Sequence, residues 1–123
     1  MKAQEIAEKL PGDHYLYFKS LWGLSYTYYA QGYGKRCSQI GKKLLDYGNR
    51  HFNIRCLVVG HICAGLGHNT AGDYPAAIKS LEKGVAVAKD PFYEQWARLF
   101  LATNYLLNKQ IIRAEDAYRQ VWT

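Results

Sequence analysis

The sequence predicts an all-α fold, a solenoid of about three helix-turn-helix hairpins, on three observations. Residues 72–91, GDYPAAIKSLEKGVAVAKDP, carry Tyr74, Ala77, Ile78, Leu81, Val85 and Ala88 on one stripe at helical spacing. A small residue on one helix is followed twelve positions later by a small residue on the next, three times over: Ser25 and Cys37, Gly65 and Ala77, Ala102 and Ala114. The turns between those members hold Gly32 and Gly72, with Lys109 at the matching place. Small facing residues let two antiparallel helices lie close, because interaxial distance follows the side chains at the contact. Such hairpins cannot bury their apolar faces singly, and stacking is the remedy.

In chain order, the first ten residues, MKAQEIAEKL ahead of Pro11, read as the tail of a preceding helix. Unit one, about 14–50, has a first helix over about 14–31 and a second that follows Gly32-Tyr33-Gly34 and runs to about Asp46, before Gly48-Asn49. Unit two, about 51–91, has helices over about 51–70 and 73–89. Asp73 is placed to cap the second, and Pro75 falls in its first turn, where a missing N–H is harmless. Pro91 disfavours the helical conformation at Asp90, so that helix should stop there. Unit three, about 92–123, has helices over about 92–107 and from about 110 to the end. The last helix stops on Trp122 without a capping turn, so the 123 residues read as one domain that is a fragment of a longer protein or is covered by a neighbour.

Composition narrows the class. Hydrophobic residues make up 49% and charged residues 21%, which reads as folded and water-facing, and no apolar run approaches the roughly 20 residues that cross a bilayer. Cys37, Cys56 and Cys63 are odd in number and contain no CxxC pair, which favours free thiols and a cytoplasmic setting. The net charge of +6 permits an acidic or nucleic-acid partner without demanding one.

At Ala64-Gly65, Gly72-Asp73-Tyr74, Ala77, Leu81 and Asp90-Pro91 the chain resembles the tetratricopeptide repeat family, and Leu101-Ala102, Tyr105, Ala114 and Tyr118 follow the same pattern. Unit one has Leu24-Ser25, Tyr28, Gly32 and Cys37, but Gly41 stands where the family prefers a large aromatic. The spacings from 25 to 65 and from 65 to 102 exceed the family's period of about 34. Units of that length look like the helical tails of large bacterial signalling proteins, nucleotide cyclases and ATPase-type regulators among them. The resemblance implies a right-handed superhelix whose first helices line a concave groove that binds other proteins. On this register the groove presents Trp22, Tyr26 and Tyr29, with Lys19, in unit one. It presents Val59, Ile62, Cys63 and Leu66, then Asn69, in unit two, and Trp96, Leu99, Phe100, Thr103 and Leu106 in unit three.

The family's clamp for a carboxyl terminus needs Lys, Arg and Asn at these places, and they are aromatic or aliphatic instead. A groove so apolar predicts a cover: an amphipathic helix or apolar peptide of a partner, the parent chain's own domains, or another copy in a homodimer. No catalytic, cofactor or metal role is expected. His61 and His68 lack the spacing of a zinc set, Cys56 and Cys63 stand too far apart on one helix for a disulfide, and GYGKR at 32–36 lacks the Gly and hydroxyl of a P-loop. The alternative is RNA or another nucleic acid, held by Lys35, Arg36, Lys42, Lys43, Arg50 and Arg55 in and after the second helix. The groove positions are too apolar for base reading, so protein is the expected partner.

Overall fold

The structure, a computed structural model, describes residues 14–122, with side chains over 18–121. The readings of residues 1–11 as a helix tail and of Trp122 as an uncapped end lie outside the described side chains. Six helices make up the described chain: α1 His14–Ala30, α2 Gly34–His51, α3 Ile54–Thr70, α4 Tyr74–Val87, α5 Pro91–Leu107 and α6 Ile111–Trp122. The fold is all-α, as the periodicity requires.

Three of the turns share one geometry. Gly32 and Gly72 both take φ 80° and Lys109 takes φ 63°. The third N–H after each first helix reaches back to the same kind of carbonyl: Tyr33 to Tyr28, Asp73 to His68 and Gln110 to Tyr105, at 2.8–2.9 Å. This is the left-handed closure that glycine accepts without strain; Lys109 adopts it with a Cβ. Asn53, Asp73 and Asp90 then cap α3, α4 and α5, each accepting a backbone N–H, from Cys56, Ala76 and Phe92 respectively.

Two boundaries differ from the sequence reading. α2 does not stop near Asp46 but continues through Gly48 to His51, and α3 starts at Ile54 rather than near 51. Gly48 is a close-approach residue, not a terminator: a Cβ there would lie 2.9 Å from Leu57 and 3.0 Å from the Asn53 carbonyl. The chain turns at Phe52 instead, in the left-handed region at φ 52°. α4 ends at Val87, ahead of Asp90, because Ala88 is already extended at ψ 138°. Asp90-Pro91 therefore belongs to the start of α5, as N-cap and first-turn proline.

Consecutive helices pack on one another throughout, and α3 also touches α1 and α5, whereas α2, α4 and α6 make no such contact among themselves. α3 is thus enclosed by four neighbours. Its sequence fits that position, since Arg55 is the only Lys, Arg, Asp or Glu in its 17 residues. The paired small residues Ser25, Cys37, Gly65, Ala77, Ala102 and Ala114 are all buried. The Cys37 thiol donates to the Ser25 carbonyl at 3.4 Å. Leu81, rather than Ala77, stands directly over Gly65, 2.8 Å from where a Cβ would be. Gly41 has its reason here: α2 runs so close to α3 that a Cβ would sit 2.9 Å from the Gly60 carbonyl. A large aromatic would not fit.

Candidate partner-binding face

The first helices of the three hairpins, α1, α3 and α5, supply every residue proposed for the groove, and the structure divides those residues into two groups. Val59, Ile62, Cys63 and Leu66, the whole α3 set, are only 1–2% exposed. They form the floor of the core, which corrects the expectation that they present their side chains along the concave groove. The physical reason is the cover above them. No Cα of α1 lies within 8 Å of one in α5 among the described residues, yet the rings bridge the gap. Trp22 meets Tyr93 at 5.2 Å and Trp96 at 6.5 Å, while Tyr26 meets Trp96 at 6.1 Å and Phe100 at 6.3 Å. Trp96 and Phe100 stack at 5.9 Å. Offset and edge-to-face contacts of this kind are favourable beyond the area they bury.

Trp22, Tyr26, Tyr29, Trp96, Leu99, Phe100 and Thr103 remain half-buried, and Leu106 is exposed. Lys19 is also exposed. Burial lifts the Tyr26 phenol far above its ordinary value, and the nearby Cys63 adds to the shift. The Trp22 side chain offsets part of it without reaching hydrogen-bond geometry, and the Tyr26 hydroxyl has no partner. Along one border runs a polar ladder. The Tyr29 hydroxyl donates to Asn69 Oδ1 at 3.1 Å, Asn69 Nδ2 donates to Asn104 Oδ1 at 2.9 Å, and Asn104 Nδ2 donates to the Phe100 carbonyl at 2.8 Å. Thr103 turns away, with Oγ1 on the Leu99 carbonyl and 3.0 Å from the Tyr118 hydroxyl of α6.

Three members of this face escaped the sequence reading. Phe18 and Tyr93 meet edge to face at 5.4 Å beneath Trp22, and Asn104 is buried to 2% exposure. A signal for Asn104 was present: an amide inside the apolar run LFLATNYLL needs partners, and Tyr29 and Asn69 were both available.

The thiols are set up as core groups, and His61 beside them is half-buried. Burial pushes Cys56 up to about 11 and Cys63 to about 12, the latter offset in part by the nearby Ser25 side chain. Both stay protonated and poorly nucleophilic at neutral pH. Burial, with help from Lys83, lowers the His61 pKa and keeps that ring neutral.

The cations proposed for nucleic acid are spread over different environments. Arg36 lies over the rings of Tyr28 and Tyr33 at 5.1 and 5.4 Å. Arg50 pairs with Asp46, and Arg55 pairs with Asp90 at 3.6 Å beside a cleft of about 710 Å³ at the α2–α3 and α4–α5 turns. Lys35, Lys42 and Lys43 are exposed on α2. Comparison with protein-family models, with curated proteins and with solved structures returned no match.

Proposed function

We propose that the protein is a non-catalytic interaction scaffold, a tetratricopeptide-like right-handed solenoid that binds a partner's amphipathic helix or apolar peptide. Binding takes place on the aromatic rim formed by α1 and α5. The half-buried cluster Trp22, Tyr26, Trp96 and Phe100 is the observation that carries this reading. Large rings held rigidly by one another, with one side wet, lose little entropy on binding and offer much apolar area, which is what binding hot spots use. The repeating left-handed turns and the buried pairs of small residues support the solenoid. The Tyr29–Asn69–Asn104 ladder would give an incoming backbone polar groups at the edge of an apolar surface.

The test is selection from a random-peptide display library on the intact chain, followed by affinity measurements on variants. The reading expects apolar, amphipathic sequences whose affinity falls at least about tenfold with Trp22→Ala or Phe100→Ala and changes little with Lys42→Ala. Leu66→Ala should act on stability, since Leu66 is enclosed. Enrichment of acidic sequences, with a steep salt dependence abolished by Lys42→Ala and Lys43→Ala, would favour the nucleic-acid alternative instead.

A further inference from the structure

A shift of 37 residues carries Gly65 onto Ala102 and Ala77 onto Ala114, and it also carries Val58, Val59, Ile62 and Gly84 onto Gln95, Trp96, Leu99 and Val121. Val58, Val59, Ile62 and Gly84 are buried, on the two helices α3 and α4 against which α5 packs. Gly84 lets α4 lie close on α3 and meets α5 at ordinary contact distance. A Cβ there would stand 3.5 Å from the Val58 carbonyl, 3.3 Å from His61 Cβ and 3.9 Å from Ala97 Cβ of α5. The counterparts one hairpin later line an apolar cleft of about 360 Å³ together with Pro91 and Phe92. Phe92 is 58% exposed at its edge. Gln95 Oε1, at the place of Val58, is buried without a hydrogen-bond partner.

We infer that this cleft is a second docking site, which takes an amphipathic helix of a partner built like α5. The occupant follows from continuity with the α4–α5 packing. The helix that fills the equivalent seat carries a small residue, Ala97, facing Gly84 and a large ring, Tyr93, one turn earlier. The partner helix therefore brings Ala, Gly or Ser over Val121, a bulky apolar residue one turn before it toward Phe92, and a donor for Gln95 Oε1. Val121 is larger than Gly84, so the demand for a small residue is stricter here than in the internal seat. The site goes beyond the aromatic rim: Trp96 and Leu99 serve both, but Phe92, Gln95 and Val121 belong to the cleft alone.

The probe is a fluorescent peptide of residues 91–107 with lysines added at both ends for solubility, titrated with the whole chain and followed by anisotropy. Saturable binding is expected. It should weaken about tenfold or more with Val121→Arg in the protein and equally with Ala97→Leu in the peptide, and stay unchanged with Lys79→Ala on the exposed side of α4. A thermal melt of the Val121→Arg protein shows that it is folded, and Phe92→Arg provides a second disruption if it is not. Absence of saturable binding at peptide concentrations of about 1 mM, or binding indifferent to both Val121→Arg and Ala97→Leu, would overturn the inference. A concentration-dependent dimer abolished by Val121→Arg, with no peptide bound, would assign the cleft to a second copy and also overturn it. Peptides selected for the rim are read on Trp22→Ala, so either site can fail without the other.

Discussion

α3 and α5 are both 17 residues long, both open a hairpin, and both are capped by an Asx side chain, yet their surroundings differ. On α3, Val58, Val59, Ile62 and Leu66 are sealed by neighbours on every side. On α5 the corresponding Gln95, Trp96, Leu99 and Thr103 are all partly open to water. The side chains follow: α3 uses compact aliphatics and glycines that let backbones close in, whereas α5 uses rings that remain soluble while half covered. Enclosure depends on the number of neighbours a helix has, and the helix with fewer neighbours is the one left partly open.

The largest expected contrast is in core truncation. Ile62→Ala should cost about 2–5 kcal/mol, because it opens a cavity under the rings. Leu99→Ala, half exposed, should cost about 1 kcal/mol or less, since little of the freed space is enclosed. Denaturant melts of both variants check this, and similar losses would mean that the two helices are equally enclosed.

Next comes the closeness of the backbones. Gly60→Ala places a Cβ 2.8 Å from Leu45 Cγ and 3.0 Å from the Leu45 backbone nitrogen, so a loss of about 1–3 kcal/mol is expected. Ala97, at the same register on α5, already carries a methyl at 0% exposure. A Gly60→Ala variant as stable as the parent would show that α2 and α3 can separate freely.

The polar border gives the third test. Asn104→Ala deprives Asn69 Nδ2 of its acceptor inside a partly buried ladder, for an expected loss of about 1–3 kcal/mol. Failure to see it by thermal melting would mean that water replaces the amide.

Much of this was legible from spacing. The pairs of small residues and the glycine turns located all six helices to within a few residues, because a left-handed turn and a close contact each restrict the residue type. Less legible was what lies above α3. Trp22, Tyr26, Trp96 and Phe100 sit on helices whose backbones do not touch, and nothing in a local pattern says that rings separated by some 70 residues will meet. Gly48 misled for a related reason: glycine ends helices and also admits neighbouring backbones, and only the position of Leu57 tells the two apart.

A smaller effect is in pH. His61 is half-buried on α3, while Arg98 at the same register on α5 pairs with Glu94 at 2.9 Å. Burial holds the folded His61 pKa below the ordinary 6.5, so the unfolded chain binds the proton first. Stability is therefore fully present above about 6.5 and declines as pH falls through the folded value. His61→Gln should flatten that decline below about pH 6.5. An unchanged slope would place the ring in water.

The most direct test of the enclosure is the rate at which Cys37, Cys56 and Cys63 react with a disulfide-exchange reagent in the native protein. All three are 0–1% exposed, so each should react only as fast as the chain opens, and Tyr26→Ala should speed the reaction of Cys63 alone. If Cys63 in the parent protein reacted at the rate of a solvent-exposed thiol, the rings of α1 and α5 would not be closed over α3, and Cys63 would belong to an accessible surface after all.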